Sequence, residues 1–170
     1  VADIVSVFNK NCDHIIELLQ AGIDPTKNKL VVFLPTMWHK KSNFWITLFF
    51  IETLNKKGIQ INYLINDLDF LNNSYFSSGY KYFVIISDDV SYSGQQLTDN
   101  IVYPYSRTYK PNVTIFLNII GYSENAKNAL EAGHQLKKPN SGNLIFGRGS
   151  KNPLIKLSNR FGVNQKNNVL

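Results

Sequence analysis

Cysteine is almost missing from this chain of 170 residues: Cys12 stands alone. One thiol excludes an internal disulfide framework and a thiolate zinc centre. Cys12 falls inside an apolar helical pattern, where it reads as a small buried hydrophobe rather than a nucleophile. Long apolar runs are scarce as well. The longest, Phe44 to Leu54, is interrupted by Thr47 and Glu52 and is too short to span a bilayer, so no membrane partner is expected. His14 and His134 have no Cys/His neighbour at metal-ligand spacing, which disfavours zinc, and His39, beside Trp38, reads as an exposed loop residue rather than a general base. Acid is under-represented, with 12 Asp and Glu against 18 Lys and Arg. The resulting charge of +6 and pI near 9.3 favour anionic ligands such as nucleotides, pyrophosphate or nucleic acid. The basic pairs Lys40-Lys41, Lys56-Lys57 and Lys137-Lys138 are dispersed and lack interleaved aromatics, which argues against a nucleic-acid stripe.

What is present is an ordinary globular composition, 44% apolar and 18% charged, sufficient for one domain with a sizeable core. The richness in Asn, Lys, Ile, Tyr and Phe resembles proteins of AT-rich genomes, including large DNA viruses and some protists, and a cytoplasmic setting is expected.

Periodicity organises the chain. Asp3 to Ala21 carries an apolar helical stripe that Gly22 closes. Leu30 to Leu34 reads as a strand buried on both faces and ended by Pro35. Ser42 or Asn43 caps a helix to about Lys57, closed by Gly58. Ile59 to Ile65 alternates as a strand, and Asn66 to Lys81 reads as a loop with one short helical turn. Tyr82 to Ser87 forms a further strand, and a helix opens near Gln95 that Pro104 must bend or end. Val113 to Ile120 is a strong strand, Ser123 caps a helix to Ala132 that Gly133 terminates, and Leu144 to Phe146 forms a last short strand. Alternating strands and helices predict an α/β fold, a mostly parallel sheet with helices on both faces. The expected organisation is a single domain over 1–170, with a core at about 28–146 and a weakly structured tail from 147.

The most informative stretch is Tyr82 to Leu97, YFVIISDDVSYSGQQL. It begins as a buried strand, stops on Asp88 and Asp89, turns through hydroxyls and Gly94, and re-enters a helical pattern. Carboxylates at a strand end can accept hydrogen bonds from ribose hydroxyls, while amides at a helix start receive phosphate. Ligands in open α/β sheets also bind at the carboxyl ends of strands. The alternative for Asp88 and Asp89, acids complementing a helix dipole, fits less well because both precede Ser93-Gly94.

Ile85 to Leu97 resembles the phosphoribosyl pyrophosphate motif of type I phosphoribosyltransferases: an apolar strand, two acids, then a Ser/Thr-Gly turn. That resemblance implies a phosphoribosyltransferase-like core, with a pyrophosphate loop after the first core strand and a sugar-phosphate loop after the third. It implies that Asp88 and Asp89 bind the ribose hydroxyls, directly or through Mg²⁺, and so serve as the catalytic and metal-binding pair. Ser91, Tyr92, Ser93, Gly94 and Gln95 would wrap the 5′-phosphate, and the loop Thr36 to Ser42 would take the pyrophosphate, with Lys40 or Lys41 as charge partner. The sequence departs from the pattern at Tyr92, where several members carry an acid, and at Gln96, where the last hydroxyl belongs. The implied partner is a sugar phosphate or nucleotide, with a homodimer or larger assembly left open. A catalytically inactive module of the same fold is the alternative, and a basic nucleic-acid-binding domain is a third. Gly147-Arg148-Gly149-Ser150 is a weaker phosphate-nest candidate.

Overall fold

The computed structural model describes residues 2–35, 42–67, 79–91, 95, 99, 111–137 and 144–147. The elements are α1 (Ala2–Gln20), a 3₁₀ turn (Pro25–Lys27), β1 (Asn28–Phe33), α2 (Ser42–Lys56), β2 (Tyr63–Ile65), β3 (Lys81–Ser91), β4 (Val113–Tyr122), α3 (Glu124–Lys137) and β5 (Leu144–Phe146). The strands form one five-stranded sheet in the order β2-β1-β3-β4-β5, and every pairing is parallel. The α/β expectation holds. Direction along the sheet reverses at β1: the chain steps outward to β2, then returns to the far side of β1 as β3. In doubly wound sheets such a reversal opens a crevice at the carboxyl ends of the two strands.

Parallel strands are buried on both faces, so their sequences are apolar without alternation. On one face Val31, Val84, Ile86, Ile115, Leu117 and Ile119 pack with Ala126 and Leu130 of α3. On the other, Leu30, Val32, Ile85 and Phe116 pack under Phe8, Cys12 and Ile15 of α1 and Phe50 and Leu54 of α2. The Phe8 and Phe50 rings meet edge to face, 5.2 Å between centroids, where the two helices share this layer.

The helix ends follow local chemistry. Gly22 and Gly58 have φ of +100° and +69°, the left-handed exits expected after α1 and α2. Asn28 Nδ2 donates to the carbonyls of Leu19 and Ala21, capping the end of α1 from the start of β1. Ser123 Oγ accepts the Ala126 N–H at 3.0 Å and starts α3.

The boundaries shift by one or two residues at α1, β1 and β4, and three others differ in ways with a physical cause. α3 passes through Gly133 and continues to Lys137. A helical glycine costs only about 0.5–1 kcal/mol relative to Ala, which the Ser123 cap and the buried Ala126 and Leu130 offset. β2 is three residues, Tyr63–Ile65, instead of seven. Ile59 is held by its N–H to Leu54 O at the exit of α2 and is buried, so this stretch packs under the sheet before Asn62 N–H reaches Leu30 O. β3 does not stop on its carboxylates; it continues through Asp88 and Asp89 to Ser91 because β4 keeps pairing with it as far as Ser91↔Tyr122.

Cys12 is fully buried, and burial pushes its thiol up to about 12, partly opposed by Lys57 and reinforced by Asp13. Burial likewise raises the Tyr122 hydroxyl, helped by Glu124 and Glu131. Both groups are neutral when folded and ionise more readily when unfolded. Their stabilisation is therefore complete below the unfolded thiol value of 9.0 and is lost as pH rises toward 12. Thermal midpoints recorded between pH 7.5 and 10 should fall at the alkaline end. A thiol reagent should label Cys12 only in denaturant; rapid labelling of native protein would contradict its burial. Phe50→Ala should lower unfolding free energy by about 3–5 kcal/mol in a denaturant titration.

Candidate functional site: the β1–β3 carboxyl rim

The rim is made by unequal strand lengths. β1 pairs with β3 from Asn28↔Lys81 to Phe33↔Ile86 and no further. After Phe33 the chain stays with β2, the Leu34 N–H donating to Ile65 O at 2.8 Å. β3 runs on from Ser87 to Ser91 beside β4 alone. The β1 side of β3 is therefore clear of β1 along the five residues that include both aspartates. This is the junction where the strand order reverses, and the location in a doubly wound sheet where ligands bind.

Asp88 and Asp89 are both half-buried there. The β3–β4 register keeps one offset on either side of Asp89, Asp88↔Ile119 then Val90↔Gly121, which implies alternating side chains. Asp88 thus belongs to the face of Ile86 and α3, and Asp89 to the face of Ser87, α1 and α2. Two neighbouring carboxylates on a strand cannot serve a ligand lying on one face. They can both reach one seated on the strand's edge, and the β1 side offers that edge. The Asp89 N–H donates to Asp88 Oδ1 at 3.0 Å, which ties the Asp88 carboxylate to the backbone. Two adjacent oxygen-donor acids are what Mg²⁺ uses when a substrate's phosphates supply the remaining ligands. Among the described residues no group of three or more His, Cys, Asp or Glu gathers for a metal.

The other expected contacts divide. Ser91 ends β3, at register with Tyr122. Gln95 is helical and its Nε2 donates to Asp99 Oδ2 at 2.7 Å, an i, i+4 contact. Tyr92, Ser93, Gly94 and Gln96 lie outside the described residues, as do Lys40, Lys41 and the rest of 36–41. Ser42, at the end of that loop, opens α2. Gly147 of the Gly-Arg-Gly-Ser candidate has a steric role: a Cβ there would stand 2.5 Å from Asn11 Oδ1. Tyr82 is core and Tyr80 is exposed, with Lys29 Nζ 5.1 Å from its ring centre.

One set of residues beneath the rim has no counterpart in the sequence expectation. Ser87, Asn118 and Asn11 are buried and joined by hydrogen bonds. The available signal was Asn118, an amide in the middle of the apolar run of β4, since a buried amide requires a partner. Two clefts, of about 660 and 450 Å³, open at the other end of the sheet, the first between Gly22, Ile23, Tyr80 and Pro111, the second between Thr26, Lys57 and Asn62.

If the aspartates serve a ligand rather than the fold, removing their charge should not harm stability. Asp88→Asn retains an oxygen for the Asp89 amide and relieves repulsion between adjacent acids. Unfolding free energy of Asp88→Asn and Asp89→Asn should stay within about 1 kcal/mol of the parent; losses well above that would assign the pair a structural role.

Comparison with family models, curated proteins and solved structures finds no match to this chain in any of the three.

Proposed function

We propose that the chain is a phosphoribosyltransferase-like domain that binds phosphoribosyl pyrophosphate or a nucleoside monophosphate, with Mg²⁺, at the β1–β3 rim. The observation that carries the reading is the rim itself. Two half-buried aspartates occupy the part of β3 that outruns β1, beside the strand-order reversal. The segments that would hold the two phosphate groups, the one after β1 and the one after β3, leave from these neighbouring strand ends. The net charge of +6 fits a polyanionic ligand.

In this reading Asp88 and Asp89 accept hydrogen bonds from the ribose hydroxyls. The amides from Ser91 to Gln95 and the Ser93 hydroxyl receive the 5′-phosphate, and Lys40 or Lys41 balances pyrophosphate charge. Bound Mg²⁺ would supply charge neutralisation on the pyrophosphate. In transfer, the bond from the anomeric carbon to pyrophosphate breaks as a bond to a base nitrogen forms, and the base gives up a proton. The chain's part in that step is to orient the ribose and keep water from the anomeric carbon.

A second reading keeps the binding and drops the turnover. Tyr92 and Gln96 favour it, since neither supplies the acid nor the hydroxyl that those motif positions carry in the family it resembles. The domain would then serve as a nucleotide sensor or as a component of a larger assembly.

Isothermal titration with phosphoribosyl pyrophosphate and Mg²⁺ tests the common part. Saturable binding is expected, weakened at least about tenfold in Asp88→Asn or Asp89→Asn and by chelation of the metal. Absence of binding up to millimolar ligand sinks the reading. Base-exchange assays with purines and pyrimidines then separate the two forms: turnover lost in Asp89→Asn marks the enzyme, and binding without turnover marks the module.

A further inference from the structure

Beneath the rim runs a buried chain of polar side chains. Asn118 sits mid-strand in β4 with apolar neighbours and is fully buried. Its register partner is Ser87, whose Oγ accepts a hydrogen bond from Asn118 Nδ2 at 2.9 Å. Asn118 Oδ1 accepts from Asn11 Nδ2 of α1 at 2.6 Å, across 107 positions of sequence. Both ends of the Asn118 amide are thereby engaged, which fixes its orientation.

An apolar residue at 118 would fill this space without the risk of an unsatisfied amide, which costs about 1–3 kcal/mol when its partner is lost. A satisfied buried network instead confers a single geometry. The position of this one is informative. β3 is supported by β1 and β4 as far as Ile86, and Ser87 is the first residue at which β1 is gone. There the Ser87–Asn118 side-chain bond adds lateral support, one residue before Asp88. The opposite end of the chain is closed by Gly147, just past β5. Its N–H donates to Leu117 O at 3.0 Å, and a Cβ on it would lie 2.5 Å from Asn11 Oδ1 and 2.7 Å from Asn11 Nδ2. Such a Cβ has no room unless Asn11 moves, so glycine at 147 leaves the space in which Asn11 reaches Asn118.

We propose that Asn11, Asn118 and Ser87 are positioning residues for the rim. They clamp β3 where it parts from β1, so that Asp88 and Asp89 hold one orientation toward the sugar phosphate, and Gly147 keeps the relay closed. The ligand in this statement rests on the function proposed above; the clamp does not.

Amide hydrogen exchange along β3, read beside titration with phosphoribosyl pyrophosphate and Mg²⁺, tests both parts. Asn118→Leu removes the relay while keeping side-chain volume, and Gly147→Ala breaks it by displacing Asn11 without replacing any polar side chain. In either variant the amides of Asp88 to Ser91 should exchange at least about tenfold faster, with Val84 and Ile85 unchanged. Affinity should fall about tenfold in parallel. Ser87→Ala should behave likewise, and Ser87→Thr, which keeps the hydroxyl, should restore slow exchange. Unchanged exchange at the rim overturns the clamp, as does uniform acceleration along the whole strand. Faster exchange with undiminished affinity overturns its role in binding. A parent protein that binds no sugar phosphate overturns the ligand assignment, while exchange still decides the clamp.

Discussion

The limited pairing between β1 and β3 governs this molecule. Six parallel register pairs, Asn28↔Lys81 to Phe33↔Ile86, join the strands on either side of the order reversal, and then the ladder stops. Every candidate for function follows from that stop. Had β1 continued, Asp88 and Asp89 would lie within a sheet interior where carboxylates are very costly to bury. Because it ends, the same backbone positions are half-buried, and two acids that alternate across the strand can still converge on its edge.

The core explains why the rim can be held in place at so short a range. Both faces of the sheet are covered, one by α3 and the other by α1 and α2, and the buried side chains lie in two continuous clusters. β3 contributes to both, Val84 and Ile86 to one and Phe83 and Ile85 to the other. The strand is therefore clamped up to the residue before Ser87, and the polar chain through Asn118 to Asn11 continues that hold where apolar packing gives way to carboxylates. Core packing and the candidate site draw on adjacent residues of one strand.

Much of this was legible in the sequence because the determinants are local. Apolar runs at Leu30 to Leu34 and Val113 to Ile120 suit doubly buried strands, and β1 and β4 form there with slightly shifted ends, while Gly22, Gly58 and Ser123 mark helix boundaries through their own backbone chemistry. Errors arose where tertiary pairing overrides a local signal. Gly133 looks like a stop, yet a helix with a firm cap and two buried anchors runs through it. Ile59 alternates as a strand would, yet its N–H is taken by Leu54 O. Two aspartates look like a strand end, yet β4 carries the ladder past them. At the candidate site, the sequence singled out the acidic pair by its spacing to Ser93-Gly94, whereas the meeting of Asn11, Ser87 and Gly147 had no local signal. Their meeting joins α1, β3, β4 and the exit of β5, and no periodicity links residues so far apart.

The most direct measurement of the central claim is a crystal structure of the protein soaked with phosphoribosyl pyrophosphate and Mg²⁺. The account predicts a phosphorylated pentose on the β1 side of β3 beyond Ile86, its hydroxyls or its metal within hydrogen-bonding or coordination distance of Asp88 and Asp89. A ligand found instead in the cleft near Gly22 and Tyr80, at the amino ends of the strands, would contradict it.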